Sequence, residues 1–317
     1  MAATTDFVAA QAVNRRNTMV LLAVLTALAA LVGYVVGWLM EAEASSSVPA
    51  FSRGGVAAAG LMAMVSVGWS ALSLAFGDKL VLAMATAKEI DKAAAPQLYN
   101  VVEEMAIAAG VPMPRVMVLE TDALNAFATG SKPGHGTIAV TRGLLNSLNR
   151  DELQGVVAHE MAHLANLDTR YMVVVGVTVG LIALVCDMLL RNLSWGRANR
   201  SSSSDKKGGG SAILIILLVV VAILAPIAAK FVQMAVSRQR EYLADATSVR
   251  FTRNPNGLIS ALGKLAEKAE PFPGVSRATQ HLFIVNPVQA FTAKSSALLA
   301  THPDIADRIA RLRNLGT

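Results

Sequence analysis

Long apolar blocks alternate with amphipathic stretches along this chain. A polar lead over residues 1–18 ends in Arg15-Arg16, and residues 19–39 then carry no charge. As helix this block extends about 31 Å, enough to cross a bilayer. A signal peptide has a shorter apolar core with a small-residue cleavage pattern behind it, so the block reads as an uncleaved anchor. Residues 56–76 predict a second spanning helix, in which Ala57-Ala58-Ala59-Gly60, Gly68, Ser70 and Ser73 suit close packing in lipid. Arg15 and Arg16 lie before the first span, and Glu41 and Glu43 lie after it, which puts the N-terminus inside.

Residues 78–170 carry the pattern of a soluble domain. A helix is predicted over 96–109, with Pro96 in its first turn and Gly110 at its end. Strands are predicted over 115–119, 125–130 and 137–141, the last two separated by the turn chemistry of Ser131-Lys132-Pro133-Gly134-His135-Gly136. A short helix over 143–148 leads into a longer one that begins after Asn149.

Apolar character returns at 171–190, flawed by Asp187, and at 212–231, where Pro226 predicts a kink and Lys230 is placed to snorkel. Between them, the Ser- and Gly-rich residues 191–211 read as a flexible basic loop. That loop carries five Lys/Arg against one acid on what is expected to be the outer side. Blocks three and four therefore either cross fully or form a hairpin that does not. Residues 232–317 predict soluble helices at 232–253, 256–269 and 304–315. The expected fold is mainly α: four hydrophobic helices plus an α+β domain with a small sheet, divided by the third and fourth blocks.

Composition sharpens this picture. Apolar residues make up 54% of the chain and aromatics only 5%, so the apolar content is Ala, Val and Leu, as in spanning helices. The net charge of +6 comes from scattered basic residues without aromatic interleaving, which argues against nucleic acid as a partner. Juxtamembrane Lys and Arg facing anionic lipid account for it better. No G-x-x-x-x-G-K-[ST] run occurs, so no nucleotide is expected as a power source. The single cysteine, Cys186, excludes an internal disulfide.

Candidate chemistry centres on His159-Glu160-Met161-Ala162-His163. Asn149 and Glu152 form a capping-box pattern at the start of this helix, and no Pro or Gly interrupts 156–167. Four helical residues turn about 400°, so the two histidines lie roughly 40° apart on one face. Two imidazoles so placed can share one Zn²⁺, with Glu160 beside them to take a proton from water. The bland alternative is two histidines on an amphipathic helix.

A catalytic zinc requires a third protein ligand. Glu241 lies on a later helix, with Asp245 one turn on to accept the N–H of a ligating imidazole. The competing reading makes both part of a solvated face beside Arg238 and Arg240. Two apolar blocks separate His163 from Glu241, which places both on one side of the membrane. Asp168 is nearer in sequence, but on a continuous helix it sits some 140° off the histidine face.

These segments, with Asn166 and Asp168, Asn125-Ala126-Phe127-Ala128-Thr129-Gly130, Thr141-Arg142-Gly143-Leu144-Leu145 and Thr301-His302-Pro303, resemble the HtpX-type membrane endopeptidases. These are bacterial zinc proteases of the gluzincin clan, related to the CAAX prenyl endopeptidases, and the resemblance covers nearly the whole chain. It implies a zincin-like catalytic domain, one Zn²⁺ per chain, His159, His163 and Glu241 as ligands, and Glu160 as general base. It also implies that Asn125 and Ala126 on an edge strand bind substrate backbone. His302 would act on the transition state, while Arg308 pairs with Asp245 or orders the loop. The expected substrates are misfolded or surplus membrane proteins, cut by a multi-pass protein of the bacterial inner membrane whose catalytic domain faces the cytoplasm.

Two competitors stand beside this reading. An intramembrane protease would bury the motif in lipid, which Asp151, Glu152, Asn166, Asp168 and Arg170 make costly. A zinc-dependent scaffold would keep the ligands but has no need of Glu160.

Overall fold

A computed structural model describes residues 7–44, 51–130, 134–174, 238–268, 284 and 303–315. By internal packing the chain divides into two units. One comprises Met1–Thr18, Leu74–Val177 and Val232–Thr317, and the other Met19–Ser73 and Thr178–Phe231. The third and fourth apolar blocks, apart from residues 171–174, and the loop between them lie outside the described residues, as do His281 and His302.

The second unit is described through most of two helices, α1 (Phe7–Ala44) and α2 (Arg53–Met84), while residues 7–18 of α1 and 74–84 of α2 belong to the first unit. Both outrun the predicted spans: α1 is already helical at Phe7, within the polar lead, and α2 continues past Phe76 to Met84. No proline interrupts either, and Gly77-Asp78-Lys79 is followed by Leu80-Val81-Leu82, which restore the apolar pattern. Both contain windows long and apolar enough to cross a membrane. Only 12% and 6% of those windows are buried, the reverse of a soluble core helix. Close packing falls on Gly33, Gly37 and Gly54, where an added Cβ would collide with the facing helix. Gly60 and Gly68, candidates for that role from sequence, face open space. The Glu41 carboxylate accepts from the Gly54 N–H at 2.6 Å, and Thr26 and Ser66 hydroxyls meet at 3.2 Å.

In the first unit a four-stranded sheet has the order β1-β2-β4-β3. The strands are β1 (Lys88–Glu89), β2 (Arg115–Leu119), β3 (Ala126–Thr129) and β4 (Thr137–Thr141). β2 and β4 are parallel in register Arg115↔Thr137, while β1 and β3 add antiparallel edges. β1 was not legible in the sequence, where Lys88-Glu89 offers no apolar alternation. Side-chain alternation along β2 buries both sheet faces. Val116 and Val118 point into the main core with α3 (Pro96–Ala109). Met117 and Leu119 pack with Phe127, Met172 and the last turns of α2.

The central helix is α5 (Arg150–Ala165), reached through the short α4 (Arg142–Ser147). Asn149 and Glu152 close the capping box in both directions. Leu153, Val156, Val157, Ala158 and Met161 are all buried, so α5 is surrounded on every side. Its close neighbour is α7 (Pro255–Glu267). A Cβ at Gly155 would stand 2.6 Å from the Leu258 backbone nitrogen, and one at Gly257 2.4 Å from the Asp151 carbonyl oxygen. Two glycines thus let the backbones touch. The remaining helices are α6 (Arg238–Thr252) and α8 (Ile305–Leu315).

The motif helix ends earlier than its sequence suggests. Expected to run through Asp168, it stops at Ala165, and Leu167 adopts the left-handed conformation at φ 58°. Helical turns resume at Asp168 on a new course.

Candidate metal centre

His159 and His163 both lie on α5, at 0% and 5% exposure, and their Nε2 atoms stand 3.2 Å apart. The first turn of α6 contributes Glu241, equally buried. Its two carboxylate oxygens lie 3.5 Å from His159 Nε2 and 3.7 Å from His163 Nε2. Ligands about 2.0–2.1 Å from a tetrahedral zinc stand roughly 3.3 Å from one another, so the spacing and the donor types fit that ion. Among the described residues this is the one His/Cys/Asp/Glu group with such convergence.

Each imidazole is backed by a carboxylate on its other nitrogen. His159 Nδ1 lies 3.0 Å from Asp245 Oδ1, as the i+4 spacing on α6 suggests. His163 Nδ1 lies 3.0 Å from Asp168 Oδ2, a contact that sequence reasoning missed. A continuous helix would have carried Asp168 away, and the left-handed Leu167 brings it back. Asn166 was the available signal, since asparagine is a common helix-ending residue.

Arg308 on α8 is 1% exposed and donates to Asp245 from Nε at 2.9 Å and Nη2 at 2.7 Å. Its Nη1 is 3.5 Å from Glu241. Glu160, Glu241, Asp245 and Asp168 are all buried around two guanidinium groups, those of Arg308 and Arg240. The two negative charges left over match one divalent cation.

Without metal, a proton on His159 offsets part of that excess. Burial alone would lower the His159 imidazole, but the Asp245 and Glu241 carboxylates outweigh it and push it up to about 9. Desolvation raises the Glu160 carboxyl above the ordinary range, against the pull of both imidazoles and a hydrogen bond from the Ala128 amide.

That amide belongs to β3, the outer strand. The Thr141 N–H bonds the Asn125 carbonyl at 3.0 Å, so Ala126 and Ala128 turn their own N–H and C=O groups away from β4. The Ala126 carbonyl accepts from the Ile284 N–H at 3.0 Å, and its N–H donates to Asn125 Oδ1 at 3.1 Å. Asn125 is held by Thr141 Oγ1 at 2.9 Å. His135 is exposed in its loop.

A family model described as peptidase family M48 matches residues 92–316. The chain belongs to that family. A "Protease HtpX homolog" of Streptococcus agalactiae serotype III is 42% identical over 304 residues, covering 95% of this chain and 97% of that one. Another, from Thermoanaerobacter pseudethanolicus, is 39% identical over 305 residues, covering 96% of each. The crystal structure of S. mikatae Ste24p aligns with a TM-score of 0.46 at 20% identity, over 77% of this chain and 58% of that chain. As an M48 peptidase the chain is a metalloprotease, and the resemblance read from its motifs is borne out.

Proposed function

We propose that this M48 metalloprotease is a zinc endopeptidase of the bacterial inner membrane. In this reading it hydrolyses peptide bonds in misfolded or surplus membrane proteins on the cytoplasmic side. His159, His163 and Glu241 hold the zinc, and Glu160 is the general base. The observation that carries the reading is the convergence of two Nε2 atoms and one carboxylate beside a buried glutamate and an outer strand.

Zinc, when bound, acidifies water toward neutrality and polarises a carbonyl. The residues of the chain do the rest. Glu160 takes the proton of the attacking water on a carboxylate oxygen and returns it to the leaving nitrogen. Burial raises its carboxyl above the ordinary value, which strengthens it as the acceptor of that proton. Asp245, neutralised by Arg308, keeps the His159 proton on Nδ1 and leaves Nε2 free for the metal. The family's substrate-binding edge falls on Asn125 and Ala126, and the Ala126 C=O and N–H must leave the Ile284 N–H and Asn125 Oδ1 to receive substrate backbone along β3. His302 donates to the oxyanion of the transition state, a role carried by its motif alone.

Cleavage of casein or a membrane-protein substrate by the detergent-purified chain tests the roles. Glu160→Gln should retain stoichiometric zinc and lose cleavage by at least about 10³-fold, since an amide cannot accept the proton. Loss of zinc in that variant would make Glu160 a ligand and overturn the assignment.

A further inference from the structure

We propose that Asp168, held by Arg240, is a positioning residue that fixes His163 for metal binding and sets how tightly the site holds its ion. The inference rests on His163 being a ligand.

A carboxylate only accepts hydrogen bonds. Asp168 Oδ2 at 3.0 Å therefore keeps the His163 proton on Nδ1, leaving the Nε2 lone pair pointed at His159 and Glu241. Asp168 is buried, and a buried carboxylate requires a countercharge. Arg240 supplies it, with Nε 3.7 Å from the other oxygen, Oδ1. The guanidinium lies 4.5 Å over the Tyr171 ring, which restricts where that charge can sit. Arg240 immediately precedes Glu241, so one turn of α6 delivers both the third ligand and the clamp on the second.

The backbone points the same way. Leu167 is one of three non-glycine residues at positive φ among the described residues, and its φ of 58° is the bend that returns Asp168 to His163. A β-carbon in that region is strained, and such strain persists where its surroundings demand it. The arrangement also repeats the one at His159, where Asp245 sits on Nδ1 and Arg308 sits on Asp245. Each ring thus has its own carboxylate and arginine. The pair at His159 is sealed, with Arg308 at 1% exposure, whereas the Arg240 side chain is 13% exposed.

The test uses the full chain in detergent. It measures zinc affinity by chelator competition, the visible spectrum after cobalt substitution, and the melting temperature of the metal-free protein. Asp168→Ala should weaken zinc about 10–100-fold and alter the cobalt spectrum. Asp168→Asn, which keeps an accepting Oδ1, should recover most of that loss, and Arg240→Ala should fall between. Natural zinc affinity in Asp168→Ala overturns the proposal. So does an Asp168→Asn variant that matches Asp168→Ala in affinity, spectrum and a lowered metal-free melting temperature, because that pattern is structural damage. His163→Ala separates the two levels. If it keeps natural zinc affinity, the ligand reading has failed; if it loses zinc while Asp168→Ala does not, only the clamp has failed.

Discussion

At the scale of single residues, the proposed ligand role of His159 sets protons against a metal. His159 in the metal-free chain is pushed up to about 9, so at neutral pH it carries a proton that a metal must displace. The sign follows directly. Raising the pH removes the competing proton, so apparent zinc affinity should increase by about tenfold per pH unit between roughly pH 6 and 8. Chelator competition at several pH values measures the slope, and calorimetry in buffers of different ionisation heat counts the proton released. A flat profile would mean that His159 is already neutral without metal. The facing of His159 and His163 follows from a four-residue spacing on one helix, which any uninterrupted turn enforces. Asp168 was illegible for the same reason: helical arithmetic assumed a helix that Leu167 ends.

At the scale of elements, α5 is fixed at its start by Glu152. The Glu152 carboxylate accepts from the Asn149 N–H at 2.8 Å, the Ser260 hydroxyl at 2.6 Å and the Lys264 ammonium at 2.7 Å. Burial works against the charge, but these partners prevail and hold the carboxyl below its ordinary value of 4.5. A depressed carboxyl contributes stability that is present above the unfolded value and lost as pH falls through the folded one. Glu152→Gln should therefore destabilise the chain by about 1–2 kcal/mol at pH 7, a modest figure because Lys264 is 40% exposed and solvent screens the pair. The same variant should flatten the stability profile between about pH 5 and 3. Denaturant unfolding at pH 7 and pH 3.5 measures both. Capping residues, Pro96 and Gly110 made α3 and α5 readable in sequence because local chemistry decides those ends. β1 depends instead on pairing Lys88-Glu89 with Val118 and Met117, a distant partner that no local pattern announces.

At the scale of the whole molecule, one unit exposes its apolar surface while the other buries it. Met64 at 68%, Leu31 at 59% and Leu61 at 58% exposure on α1 and α2 suit lipid. The close approach of these helices rests on small residues, with the Gly54 carbonyl 2.3 Å from where a Gly37 Cβ would stand. Gly37→Leu should force the helices apart and lower the melting temperature in detergent by several degrees, while Gly60→Leu, facing open space, should leave it within about one degree. Thermal unfolding followed by tryptophan fluorescence compares the two.

The guanidinium of Arg308 lies 149 positions after the histidine whose carboxylate partner it neutralises. During synthesis that separation becomes time. At translation speeds of about 5–20 residues per second, roughly 7–30 s pass between the making of His159 and the making of Arg308. Through that interval the nascent protease carries its motif without the charge that completes it. The charge set behind His159 is thus completed last, and a ribosome that stalls before α8 releases a product without Arg308.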